Sequence, residues 1–217
     1  MADLSPFSVL VTGSNRGLGL EFVRQLLELP KPPQLLFATC RNPSAAQALH
    51  ELSAQHSSVR ILQLDVENSA SIQEAFVSVK DQLEGLGLNL LINNAGRVIP
   101  NSFHSESAES MLQLYQTHVV GSLKMSQTFL PLLKKAAQMG PQDSLSCNRA
   151  AIINISSTGG SFTELLGWEI GPGLSYRCSK APMKKEESVQ GMLKVFSTLS
   201  EKNAGYFFDW EGKELCW

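Results

Sequence analysis

Short unbroken apolar blocks alternate along this chain with longer stretches in which apolar residues recur every three or four positions. Val9, Leu10 and Val11 read as a buried strand, and Leu35 to Thr39, Val59 to Leu64, Leu88 to Ile92 and Ala151 to Ile155 repeat the pattern. Between them lie helical patterns. Leu20, Phe22, Val23, Leu26 and Leu27 form one apolar face that Pro30, Pro32 and Pro33 stop. Pro43 suits the first turn of a weaker helix reaching Ala54. Ile72, Ala75, Phe76, Val79 and Leu83 keep helical period, with Ser71 and Glu74 at capping-box spacing in front and Gly85 and Gly87 behind. A long pattern from Ala108 to about Gln138 contains Pro131, where a kink is expected. Short apolar strands separated by helices predict an α/β fold: a doubly wound, Rossmann-like parallel sheet with helices on both faces.

The first strand runs into Thr12–Gly19, TGSNRGLG, where Gly13, Gly17 and Gly19 lead into a helix. A helix start presents unpaired N–H groups and the positive end of its dipole, and bare glycine lets a phosphate approach them. A glycine-rich turn that merely reverses the chain is the plain alternative. Ligands of such sheets bind beyond the carboxyl ends of the strands, and Gly13, Arg41, Asp65, Asn93 and Ser157 all fall at or just after strand ends.

The 217 residues are enough for one sizeable core, so a single domain over 1–217 is expected. Apolar content of 43%, charged content of 18% and a net charge of −2 point to a soluble protein with neither nucleic acid nor a membrane as partner. Cys40, Cys147, Cys178 and Cys216 fit no metal-ligand or paired-thiol spacing, so no metal site is expected. Free thiols, and a first strand reached without a signal core, predict a cytoplasmic location.

With TGSNRGLG, the run NNAG at Asn93–Gly96, the pair Ser156 and Ser157 after the fifth strand, and YRCSK at Tyr176–Lys180, the chain resembles the short-chain dehydrogenase/reductase family. The resemblance covers Phe7 to about Ala181 and is greatest to the sniffer-type carbonyl reductases. It implies an oxidoreductase that moves a hydride between a nicotinamide and a small-molecule carbonyl (ketone, aldehyde or quinone), with Tyr176 donating the proton. Bringing a phenol from near 10 toward neutrality takes ~4 kcal/mol. A lysine ammonium ~4 Å away supplies about that much, and Lys180 lies one helical turn after Tyr176. Ser157 would hold the substrate carbonyl. The implied cofactor-binding residues are Gly13, Ser14, Asn15, Arg16, Gly17, Leu18 and Gly19 in the turn, then Arg41, Asp65, Val66, Asn93, Ala95 and Gly96, with Tyr176 and Lys180. An NAD site calls for an acid near the end of strand two. Thr39, Cys40 and Arg41 stand there instead and Arg16 lies in the turn, which favours NADP(H).

Three departures from the family pattern bear on activity. The family's relay asparagine is replaced by His118, in HVVG at 118–121, which either relays protons differently or is a satisfied histidine on a helix flank. The stretch between Ser157 and Tyr176 is long, and Trp168 in it either faces substrate or plugs the core. After Ala181 the chain goes directly to Pro182, Met183 and KKEE at 184–187, without the family's sixth strand and proline-glycine loop. That predicts a family-like part, 1–181, joined across a deletion of about 30 residues or more to a C-terminal helix and strand, 182–217, as in a shortened isoform. Tyr206 to Asp209 would fill the sixth-strand place or pack loosely, and the usual homodimer face would be shortened. A catalytically silent dinucleotide-binding or interaction protein is the alternative reading.

Overall fold

The computed structural model describes residues 4–139, 146–157, 174–177, 185–199, 203, 207–208 and 211–215. Five parallel strands form the central sheet: β1 (Ser8–Thr12), β2 (Leu35–Cys40), β3 (Val59–Gln63), β4 (Leu90–Asn93) and β5 (Ala151–Asn154). Their order is β3-β2-β1-β4-β5, with Val9 opposite both Leu36 and Leu90. The order reverses at β1, so the crevice beyond the carboxyl ends of β1 and β4 is where such folds take ligands.

Alternation along the strands divides the core in two. Val9, Val11, Leu36, Ala38, Leu90 and Ile92 face α1 (Gly17–Leu27), α2 (Gln47–Gln55) and, through Leu193 and Phe196, α7 (Lys185–Thr198). Leu10, Phe37 and Leu91 face the other way, onto Ile72, Ala75 and Val79 of α3 (Ser69–Gln82) and Met125, Phe129, Leu132 and Leu133 of α5 (Gly121–Met139). Successive strand residues point to opposite faces, and a parallel sheet covered on both sides needs apolar residues at every position. Phe196 of α7 stacks on Phe22 of α1, ring centroids 6.1 Å apart and 13° from coplanar. The C-terminal helix thereby closes the first face.

Three expectations change. The helix α3 starts at Ser69 and is capped by Asn68, whose Oδ1 accepts from the amides of Ala70 and Ser71, so Ser71 and Glu74 do not form a capping box. Ser71 Oγ instead accepts the amide of Asp65 and ties the helix to the end of β3. The long helical pattern is three segments: α4 (Ala108–Tyr115), a π-helical turn over Gln116–Val120, and α5, which carries Pro131 within it. Phe207–Phe208 (β6) does not fill the sixth place beside β5; it pairs antiparallel with Glu214–Leu215 (β7) in a separate two-stranded sheet. Among the described residues the main sheet ends at β5. Lys180, Ala181, Pro182, Trp168, Tyr206, Asp209, Cys178 and Cys216 lie outside the described residues.

Candidate active site

The β1–α1 corner has the form expected of a phosphate cradle. Gly17, the first residue of α1, has φ +59°, and a Cβ built there meets nothing within 4 Å. Gly19 is held by close approach, since a Cβ would come within 2.1 Å of the Gly13 carbonyl oxygen. Arg16, at the N-cap, makes no side-chain capping bond, and no acid stands in the first turn. The opening amides of α1 are thus left for an external acceptor at the positive end of the helix. Asn15, Arg16 and Gly17 are exposed beside it, and Leu18 is half-buried. Ser14 turns inward: its hydroxyl donates to the Val11 carbonyl at 2.7 Å and its amide to the Thr39 carbonyl at 2.8 Å. It shapes the turn and does not offer its hydroxyl proton outward.

The turn is braced from β4. Thr12 Oγ1 accepts the amides of Asn94 and Ala95, both at 2.9 Å, and Asn94 Nδ2 donates to the Thr12 carbonyl at 2.8 Å. Ala95 lies directly against Gly13 (φ +69°), where a Cβ would sit 2.9 Å from the Ala95 Cα. Thr12 and Asn94 were absent from the expected site residues. Their signal was their place, one at a strand end and the other inside the NNAG run. Asn93 is buried and acts behind the edge, its Nδ2 donating to Asn154 Oδ1 and Ser126 Oγ so that β4, β5 and α5 are joined.

At the ends of β2 and β3, Arg41 is exposed and Asp65 half-buried, with Asp65 Oδ1 accepting the Glu67 amide. Val66 is buried against Gly121 at the head of α5. Cys40, the last residue of β2, is buried with its thiol pushed up by that burial. No acid occupies the strand end.

Beyond Gly96 the chain meets the π turn. His118 Nε2 accepts the Arg97 amide at 3.1 Å, and a Cβ on Gly96 would fall 3.0 Å from the same nitrogen. Arg97 Nη2 reaches Glu67 Oε1 at 3.1 Å, and Thr117 Oγ1 donates to that oxygen at 2.5 Å. Arg97, Glu67 and Thr117, which sequence reading did not single out, hold the π turn to the edge of β3. Such turns carry one more residue than an α-turn and gather at functional sites.

Tyr176, in α6 (Leu174–Arg177), stands against His118, its ring centroid 6.5 Å from the imidazole and 75° to it. Burial pushes the Tyr176 phenol above its ordinary value. Ser157, just past β5, is buried at the same edge. The structure therefore links Tyr176 through His118, Gly96 and Ala95 to Gly13. Lys180, the cation expected to counter the effect of burial on Tyr176, is not among the described residues.

Strand order and glycine corner together define a Rossmann-like α/β protein. Residues 8–185 match the family model for short chain dehydrogenase, and the chain belongs to that family as an oxidoreductase of the sniffer type. The NADPH-bound carbonyl reductase from chicken fatty liver superposes with a TM-score of 0.95 at 43% identity, covering 100% of this chain and 96% of that one. Carbonyl reductase Sniffer of Drosophila melanogaster gives 0.90 at 32% identity, covering 98% and 100%. An uncharacterised oxidoreductase of Schizosaccharomyces pombe is 27% identical, over 93% of this chain and 94% of its own length.

Proposed function

We propose that this oxidoreductase is an NADPH-dependent carbonyl reductase that turns a ketone, aldehyde or quinone into an alcohol. The observation that supports the reading is the run of neighbours from Tyr176 to His118, from His118 to Gly96 and Arg97, and from the adjoining Ala95 to Gly13, with a phenol at one end and an uncapped helix start at the other. The uncapped start of α1 fits a pyrophosphate. Exposed Arg16 and Arg41, with no acid at the end of β2, fit a 2′-phosphate, and the chicken relative was solved with NADPH.

NADPH, when bound, supplies a hydride to the carbonyl carbon. Ser157 donates a hydrogen bond to the carbonyl oxygen and orients it. Tyr176 transfers its Oη proton to that oxygen as the charge there grows, which gives the neutral alcohol. A phenol raised by burial stays protonated at neutral pH and so keeps the proton it must give. Lys180 would stabilise the phenolate left behind.

The test is thermal unfolding with and without NADPH, then a panel of small ketones, aldehydes and quinones. Cofactor at 100 times its dissociation constant stabilises the fold by ~2.7 kcal/mol. Tyr176→Phe is expected to keep that shift and lose turnover, and no shift at saturating NADPH rejects the reading.

A second reading, a shortened chain that binds the dinucleotide without turnover, is favoured by one observation. The alignment with the yeast oxidoreductase runs over 245 positions, more than the 217 residues here, and the described sheet stops at β5. Binding without reduction of any carbonyl on the panel identifies it.

A further inference from the structure

We infer that Glu106 is a positioning residue for Tyr176, joining through one carboxylate the start of the helix that leads to His118 and the start of the helix that carries the phenol. The inference rests on the reductase reading for its consequence in turnover, though the contact itself does not.

Glu106 follows the short 3-10 turn Phe103–Ser105 and directly precedes Ser107, the N-cap of α4. Its Oε1 accepts Asn101 Nδ2 at 3.0 Å and the Ser107 amide at 3.2 Å. Its Oε2 accepts the amide of Ser175 at 3.1 Å, across 69 residues of sequence. Ser175 is buried and immediately precedes Tyr176. The Ser175 amide has its partner in Glu106, and a backbone anchor one residue before Tyr176 limits where the phenol can point. Hydrogen bonds from Ser175 first, then Asn101 and Ser107, hold the Glu106 carboxyl down at about 2, so it is a charged acceptor at any working pH.

Geometry makes the position consequential. From Ser107 the chain runs through α4 into the π turn and His118, and from Ser175 it runs straight into Tyr176, whose ring meets His118 edge to face. Glu106 thus fixes both arms of that pair from outside the reacting atoms. Among the described residues its hydrogen-bond partners are Asn101, Ser107 and Ser175, away from the glycine corner, so cofactor binding should not depend on it.

The experiment compares the wild-type chain with Glu106→Ala and Glu106→Gln by steady-state kinetics, NADPH binding and amide exchange read by mass spectrometry. For Glu106→Ala, kcat should fall roughly tenfold to a hundredfold while the NADPH dissociation constant stays within about twofold. Exchange should quicken in the peptide spanning 174–177 and not in β1 or β4. Glu106→Gln retains an acceptor oxygen and should recover part of both effects. Unchanged kcat and unchanged exchange at 174–177 overturn the inference, as does a loss of kcat accompanied by faster exchange throughout the sheet. A wild-type chain that reduces no carbonyl overturns the reductase reading instead, and the exchange at 174–177 then decides alone whether Glu106 holds Tyr176.

Discussion

His118 stands where relatives of this sequence type were expected to carry asparagine, and its ring is oriented by the Arg97 amide that donates to Nε2. A neutral imidazole that accepts at Nε2 carries its proton on Nδ1. His118→Ala leaves the Arg97 amide without that acceptor and should cost about 1 kcal/mol, measured by urea unfolding. On the proposed reading that NADPH is the cofactor and Arg41 meets its 2′-phosphate, Arg41→Asp should turn preference toward NADH by roughly tenfold or more, since a charge-assisted bond is worth about 1.5–3 kcal/mol; the ratio of kcat/KM values reads it. Burial pushes the Cys147 thiol up to about 12, and Cys40 is raised as well. Neither should react with a disulfide reagent at pH 8 until urea is added, as peptide mapping would show. Gly13, Gly17 and Tyr176 stand out in the sequence because each lies in a local motif, and the structure gives Gly13 and Gly17 the positive φ of a tight turn and sets Tyr176 against His118. Glu106 and Glu67 do not stand out, because each acts on a residue tens of positions away, and no spacing rule connects them.

The helix starts show how local signals compete. Asn68 and Ser71 are both good caps three residues apart, and the sequence pattern favoured the one with Glu74 behind it. Asn68 wins because Ser71 is engaged by the Asp65 amide, a contact that exists only once β3 has been placed. Asn68→Ala should therefore cost about 1 kcal/mol, and Glu74→Ala should change stability little, in parallel urea titrations. The π turn was hidden for a related reason. Leu114, Thr117, Gly121, Met125 and Phe129 are buried at intervals of three or four, so periodicity looks unbroken across it. The tail was easier to read: Leu193 and Phe196 fall on one face, and that face meets α1. Phe196→Ala removes the stack on Phe22 and should cost about 3–5 kcal/mol.

For the molecule as a whole, a parallel sheet with a helical layer on each face followed from alternating strands and helices, since parallel neighbours need crossovers and the crossovers become the outer layers; the order β3-β2-β1-β4-β5 is seen only in the structure. What the pattern could not assign was the C-terminal strand, because two residues of ladder in β6 are too few to declare a partner. Stability should respond to pH at both extremes. Glu106, held at about 2 in the fold, stabilises above its ordinary unfolded value, and the contribution disappears as pH falls through that interval. Cys147 acts with the opposite sign: its contribution is complete below the ordinary thiol value of 9.0 and disappears as pH rises toward about 12. Urea midpoints across the pH range would show both losses. The widened turn at Gln116–Val120 carries a last consequence, for tolerance to changes in length. Because a wide turn takes up one extra residue locally, removing one there would let α4 and α5 fuse into a single regular rod with Met125 and Phe129 still facing the sheet. The same deletion inside α5 would turn everything beyond it by about 100° and carry those side chains toward water, so the turn is where this rod tolerates a change of length.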